Sequence, residues 1–128
     1  IRPATADERW EDVIWASGGG NILAKDGSVT ADATASGREP RTVMGVRKDG
    51  TAVIVECDGR QSSISAGMTL AEAAQLMLSH GCTDVINLDG GGSAQILLNN
   101  KRALLISDRN APDNSEAERP IPSGLIIR

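Results

Sequence analysis

Residues 85–93 of this sequence, VINLDGGGS, combine side-chain types and spacing that suit chemistry on a polar ligand. An apolar, β-branched run stops at the carboxylate of Asp89, and three glycines and the hydroxyl of Ser93 follow. Asn87 and Asp89 lie two residues apart, so on a strand they share one face. Glycine is typical of places where a ligand or another segment approaches closer than a Cβ allows. The segment therefore offers a carboxylate, an amide, a hydroxyl and bare N–H groups.

The elements that must position this segment are mainly strands. Residues 41–47 and 51–57 form the clearest hairpin, because two apolar runs flank a Lys-Asp-Gly turn. Residues 83–88 form the strand that leads to Asp89. Further short strands are predicted at residues 21–24, 28–29, 94–98, 103–106 and 123–127.

One helix is predicted, over about residues 69–80. A capping box, Thr-Leu-Ala-Glu, begins it, and Gly81 follows it as a stop signal. Apolar residues at helical spacing between these signals give the helix one face for burial. A helix among so many strands predicts an α+β domain, in which the helix packs on a mainly antiparallel sheet.

Composition excludes several classes of protein. The chain has 128 residues and a net charge of −4, and it has no cluster of Lys and Arg, so nucleic acid is not an expected partner. No apolar run approaches the roughly 20 residues that cross a bilayer. Cys57 and Cys82 lack metal-ligand spacing and are interpreted as small buried hydrophobes, with a disulfide between them as the lesser alternative.

The chain contains a set of six short motifs, one after another. They are RTxxG at 41–45, DG at 49–50, DGR at 58–60, GMTLxE at 67–72, NLDGGGS at 87–93 and RP at 119–120. This set, with its spacings, resembles the phosphodiester glycosidase family. The stretch ASGGG at 16–20, with DG at 26–27, is similar to the region that the family carries upstream.

The resemblance implies how the chain is organised. Members of the family usually carry an earlier segment with an Asn-Gly-Gly-Phe-Phe-like motif, which this sequence lacks. We therefore expect residues 1–128 to form a single domain that represents the C-terminal portion of the family domain. We also expect this domain to associate with the missing segment or with a second copy of the chain.

The resemblance further implies an activity, the hydrolysis of a sugar-1-phosphodiester to free sugar and phosphomonoester. The expected partner is a carbohydrate phosphodiester such as a cell-wall or exopolysaccharide component, with no cofactor required. The expected location is the cell envelope or the secreted fraction. The alternative function is a non-catalytic glycan- or wall-binding module, or an inactive fragment of such an enzyme.

Phosphate recognition requires cationic donors, preferably bidentate ones. The candidates are Arg41, Arg60 and Arg119, each with the alternative interpretation of a solvated or paired surface arginine. The other predicted substrate contacts are Thr42, Asn87, Gly90, Gly91, Gly92 and Ser93.

Glycosyl transfer to water commonly uses two carboxylates, and Asp89 and Asp58 are predicted to divide the base and acid roles. The alternative for each is an ordinary turn aspartate. Glu56 shares a strand face with Asp58 and is interpreted as an exposed glutamate of the sheet. A phosphate leaves readily, so arginines that stabilise it reduce the need for an acid. Asp58, Asn87 and Asp89 also carry oxygen ligands that suit Ca²⁺ or Mg²⁺, which leaves a divalent cation open.

Overall fold

The computed structural model describes the whole chain apart from ten residues, namely Arg2, Ala4, Ala6, Glu8, Ala35, Ser36, Ala111, Pro112, Ser123 and Arg128. Five strands form the main sheet: β1 (Ile22–Lys25), β2 (Ser28–Val29), β3 (Arg41–Arg47), β4 (Ala52–Cys57) and β5 (Cys82–Asn87). Their order across the sheet is β2-β1-β5-β3-β4, and all their pairings are antiparallel. The predicted α+β class with a mainly antiparallel sheet is therefore confirmed.

The one α-helix of the described residues, α1 (Leu70–Ser79), begins at the predicted capping box. The Thr69 hydroxyl accepts a hydrogen bond from the Glu72 N–H at 3.2 Å, and the Glu72 carboxylate accepts one from the Thr69 N–H at 2.9 Å. These two bonds satisfy N–H groups that the first turn of a helix leaves without partners. Gly81 follows the helix with a φ of +81°, a conformation that favours glycine.

The core lies between α1 and one face of the sheet. Met77 of the helix and Leu23 and Val85 of the strands are completely buried. Gly45 of β3 permits this close packing, because a Cβ there would lie 2.8 Å from both the Met77 side chain and the Cys82 sulfur. The strands next to the helix are thus held against it by the hydrophobic effect, while their ends remain accessible for a site.

The C-terminal third differs from the strand predictions. Among the described residues, strands β6 (Leu97–Leu98) and β7 (Lys101–Arg102) pair only with each other. The predicted strands at 94–98 and 103–106 are therefore largely wrong. Asn99 and Asn100 both have positive φ and form the two-residue turn that sets this short register. Residues 124–127 form no strand, and position 123 lies outside the described residues.

The two cysteines are separated by a strand. Cys57 lies on β4 and Cys82 on β5, and β3 runs between these strands. Both thiols are free, so the lesser alternative of a disulfide between them is wrong. Within the described part of the chain, no helix has the length and apolarity needed to cross a membrane.

Candidate functional site

The glycine turn after β5 packs against the beginning of β3. The Leu88 N–H donates to the Thr42 carbonyl at 2.8 Å, and the Gly91 N–H donates to the Pro40 carbonyl at 3.0 Å. A Cβ on Gly90 would lie 2.7 Å from the same Pro40 oxygen, so only glycine permits this approach. The contacts bring Asp89 and the strand that begins with Arg41 to one edge of the sheet.

An open cleft of about 400 Å³ occupies this edge. It is lined by Glu39, Pro40, Arg41, Arg60, Asp89, Gly90, Gly91, Gly92 and Arg119. The structure therefore brings together one predicted catalytic carboxylate, all three predicted phosphate-binding arginines and the three glycines. These residues come from four separate regions of the sequence.

Arg41 is anchored in the cleft by backbone groups. Its Nε donates to the Met68 carbonyl at 3.1 Å, and its Nη2 donates to the Gly37 carbonyl at 3.1 Å. Among the residues that the structure describes, no carboxylate lies within ion-pair distance of this guanidinium. Carbonyls orient a cation without cancelling its charge, so Arg41 offers an uncompensated positive charge to an anion.

Arg60, by contrast, is held by two carboxylates. Its Nε is 2.7 Å from Glu39 Oε2, and its Nη1 is 2.7 Å from Asp108 Oδ1. The hydrogen bond to Glu39, together with the charges of Glu39 and Asp108, raises the pKa of Arg60 above its usual value. Arg60 has a φ of +59°, which places its side chain beside Gly91.

Arg119 closes the other side of the cleft. Its Nη2 donates to the Ser93 hydroxyl at 2.8 Å, and its Nε lies 3.5 Å from Asp108 Oδ2. Asp108 thus joins two of the three arginines, although the sequence did not single it out as a site residue. The one hint in the sequence is the glycine at position 92. A Cβ on Gly92 would lie 1.9 Å from Asp108 Oδ2, so this glycine makes room for the Asp108 carboxylate.

The glycines of the turn serve chain packing in the present structure. The Gly90 N–H donates to Asp89 Oδ1 at 3.0 Å, and the Gly91 N–H is bonded to Pro40. Two of the three N–H groups predicted to approach a substrate are therefore already paired within the protein.

Asp89 itself is exposed and lies between two depressions. The second depression, of about 430 Å³, is lined by residues 18–20, Leu88 and Asp89. The Gly20 N–H donates to the Asn87 carbonyl at 2.8 Å, so the two triple-glycine segments of the sequence meet at this carboxylate. An exposed carboxylate between two open spaces is accessible both to a substrate and to water.

Asn87 has a different environment from Asp89. The expected shared strand face does not hold, because β5 ends at Asn87 and the chain turns before Asp89. Asn87 is 9% exposed, and its Nδ2 donates to the Leu88 carbonyl at 3.0 Å. Its Oδ1 is buried and has no partner among the described residues. Three of the predicted substrate contacts lie next to the cleft but do not line it, namely Asn87, Thr42 and Ser93.

Asp58, the second predicted catalytic carboxylate, is not among the residues that line the cleft. It follows β4, and its backbone carbonyl accepts a hydrogen bond from the Ser65 hydroxyl at 2.6 Å. The structure therefore does not join Asp58 with Asp89 in one cleft, and the acid role of Asp58 stays a prediction.

Glu56 is partly buried, contrary to the expectation of an exposed glutamate. Burial raises its pKa to about 7, a hydrogen bond from the Thr42 side chain opposes this, and the charge of Asp58 adds to the rise. Its Oε1 is buried without a partner in the described structure. A carboxyl in this environment is more stable when it is protonated.

The free energy of unfolding of the native chain is expected to fall as the pH rises from about 4.5 to about 7, because Glu56 becomes ionised. Replacing Glu56 by Gln is expected to abolish this fall. Because folding raises the pKa of this carboxyl, the contribution of the protonated Glu56 to the free energy of unfolding is fully present below the unfolded-state pKa. The contribution is lost as the pH rises through the folded-state pKa. The full shift corresponds to roughly 3 kcal/mol, which we reduce to about 1–2 kcal/mol for a partly solvated group. Urea unfolding at acidic and at alkaline pH measures this difference, and pH profiles that run parallel for the two proteins would contradict it.

A divalent-cation site gains no support from clustered ligands. Over the described residues, no group of three or more His, Cys, Asp or Glu side chains is arranged to hold a metal ion. The predicted oxygen ligands are also divided, since Asp89 lines the cleft and Asp58 does not.

Comparison with known proteins identifies relatives of this chain. A model of the phosphodiester glycosidase family matches residues 1–128. Human N-acetylglucosamine-1-phosphodiester alpha-N-acetylglucosaminidase is 38% identical over 68 residues, which cover 53% of this chain and 13% of that protein. The chain spans only 11–13% of the length of the first curated relatives that it matches.

Two solved structures are also similar to this chain. The zebrafish N-acetylglucosamine-1-phosphodiester alpha-N-acetylglucosaminidase catalytic domain, auto-inhibited by its pro-peptide, matches with a TM-score of 0.69 and 27% identity. That match covers 80% of this chain and 38% of the zebrafish chain. A protein of Burkholderia pseudomallei described as exported matches with a TM-score of 0.54 and 44% identity, over 56% of this chain and 14% of its own.

Proposed function

The chain belongs to the phosphodiester glycosidase family, and on that premise we propose that its cleft hydrolyses a sugar-1-phosphodiester. The products are the free sugar and a phosphomonoester. The activity for which the human and zebrafish relatives are named supports this substrate class. The similarity to a protein described as exported supports a location outside the cytoplasm.

The observation that carries this proposal is the meeting of Asp89 and Arg41 in one cleft. Hydrolysis of the substrate needs a base or nucleophile near the anomeric carbon and a cation near the departing phosphate. Asp89 supplies an exposed carboxylate, and Arg41 supplies a fixed guanidinium with no carboxylate partner among the described residues. The two groups come from the end of β5 and the start of β3, which are adjacent strands.

Each group has one role in the reaction. Asp89 either takes a proton from a water whose oxygen bonds to the anomeric carbon, or attacks that carbon itself and forms a glycosyl-enzyme that water then hydrolyses to the free sugar. The bond between that carbon and the phosphate oxygen breaks, and its electron pair leaves with the phosphate. Arg41 stabilises the charge on the departing phosphate, so the leaving oxygen needs little help from an acid. Association with a further segment or a second copy of the chain stays a prediction.

Replacing Arg41 by Gln is expected to lower kcat/KM for a sugar-1-phosphodiester by roughly 10- to 100-fold, because a charge-assisted hydrogen bond contributes about 1.5–3 kcal/mol. The measurement is the release of N-acetylglucosamine from its methyl phosphodiester. Arg102→Gln is the matched control, since Arg102 forms an ion pair with Glu116 and does not line the cleft.

The same assay separates the two functions under consideration. Release of sugar by the unaltered chain supports the glycosidase. Binding of the methyl phosphodiester without any release supports the binding module instead. A folded chain that neither binds nor cleaves this compound contradicts the proposal.

A further inference from the structure

The charges around the cleft are balanced, and their distribution is uneven. In the described structure, the three arginines of the cleft are accompanied by three carboxylates, which belong to Glu39, Asp89 and Asp108. Glu39 and Asp108 engage Arg60, and Asp108 also approaches Arg119. Of the three arginines, only Arg41 has no described carboxylate within ion-pair distance.

This distribution bears on which phosphate the cleft accepts. A phosphodiester carries one negative charge, whereas a phosphomonoester near neutral pH carries between one and a half and two. A single uncompensated guanidinium neutralises the diester. The second charge of a monoester would have to compete with Glu39 and Asp108 for arginines that these carboxylates already hold.

We propose that Asp108, together with Glu39, makes the cleft select the singly charged phosphodiester over the doubly charged phosphomonoester. This inference rests on the proposed function and adds to it a specificity determinant. The proposed reaction also yields a phosphomonoester, which is methyl phosphate when the substrate is the methyl phosphodiester, and the same carboxylates weaken its binding and so promote its release.

Asp108 is well placed for this role because its position is fixed by packing. Its carboxylate occupies the space that a side chain at position 92 would fill. Its carbonyl accepts a hydrogen bond from the Ala117 N–H at 2.9 Å, and Arg109 and Glu116 form a β-bridge next to it. From this one position the carboxylate contacts both Arg60 and Arg119.

The test compares two ligands that differ in one charge. Calorimetric titration at pH 8 measures Kd for N-acetylglucosamine 1-phosphate and for its methyl phosphodiester. Every protein in this comparison, including the chain unaltered at positions 39 and 108, carries Asp89→Asn so that the diester is not cleaved during the titration. We expect the unaltered chain to bind the diester more tightly. Replacing Asp108 by Asn removes one charge, which leaves Arg119 with no described carboxylate and Arg60 with Glu39 alone. We therefore expect the monoester to bind about tenfold more tightly than before, with less than about threefold change for the diester.

Two further variants make the result decisive. Glu39→Gln leaves Arg60 paired with Asp108 alone, and it should also shift the preference toward the monoester. Asp113→Asn is the matched control, because Asp113 lies in the same loop but its carboxylate accepts a hydrogen bond from the Ser115 N–H at 3.1 Å. It should leave both Kd values unchanged.

The outcomes separate this inference from the proposed function. Equal affinity of the unaltered chain for the two ligands, or a ligand preference that neither Asp108→Asn nor Glu39→Gln changes, overturns the inference alone. A folded chain that binds neither ligand overturns the inference and the proposed function together.

Discussion

Replacing Asp89 by Asn is expected to lower kcat for sugar-1-phosphodiester hydrolysis about 1000-fold, the scale of a lost general base. Asp89 is the cleft carboxylate that no described cation pairs with. Among the described residues, its carboxylate accepts a hydrogen bond only from its neighbour, the Gly90 N–H, at 3.0 Å. Asparagine retains an oxygen that accepts this bond. The fold should therefore be unchanged, with a stability difference within about 0.5 kcal/mol.

The release of free sugar measures this effect, and circular dichroism checks the fold. Asp49→Asn is a suitable control, because Asp49 also precedes a glycine in a turn but accepts its hydrogen bond from the Thr51 N–H at 2.9 Å, at the β3–β4 turn. It should keep full activity. Undiminished turnover by Asp89→Asn would remove Asp89 from the mechanism, and loss of structure would show that the residue is needed for folding.

Replacing Gly67 by Ala is expected to destabilise the fold by about 3–5 kcal/mol, the upper range for single substitutions. Gly67 has a φ of +92°, and a Cβ there would lie 2.6 Å from the backbone carbon and oxygen of Glu39. Backbone atoms cannot move aside as a flexible side chain does, so strain and steric overlap add. A loss of this size is a large part of the 5–15 kcal/mol that stabilises a typical domain.

The same substitution is expected to disturb the cleft, because the segment after Gly67 is hydrogen-bonded to the segment before Arg41. The Met68 N–H donates to the Glu39 carbonyl at 2.9 Å, and the Met68 carbonyl accepts a hydrogen bond from Arg41 Nε. Urea unfolding measures the destabilisation. Gly18→Ala is the control, since nothing lies within 4 Å of its added Cβ, and equal stability of the two variants would show that the approach of Gly67 to Glu39 is not constrained.

Elements with local signals were predicted well. β3 covers residues 41–47 as predicted, and the capping box placed the start of α1 at its observed position. The short strands predicted at 21–24 and 28–29 also form, as β1 and β2, with Lys25 paired to Ser28. Each of these features depends on hydrogen bonds or side-chain alternation within a few residues, which a single sequence contains.

Features that depend on distant segments were predicted less well. The apolar residues at 103–106 suggested a strand, but the Asn99–Asn100 turn pairs the chain two residues earlier. Glu56 was expected on an exposed face, yet it lies against Thr42 of the neighbouring strand and is partly buried. Asp58 follows a strand as expected but does not line the cleft. None of these outcomes is encoded in neighbouring residues alone.

The sequence by itself determined the family, the α+β class and most of the residue types that meet in the cleft. It did so because the motifs at 41–45, 58–60, 87–93 and 119–120 follow one another in the family's order. Only the tertiary structure decided how those residues divide the work. The glycines at 90–92 admit Pro40, Arg60 and Asp108, and Asp108 reaches two arginines from a loop that contains no motif. The physical reason is that charge balance and close packing arise between segments far apart in the chain, where spacing along the sequence carries no information.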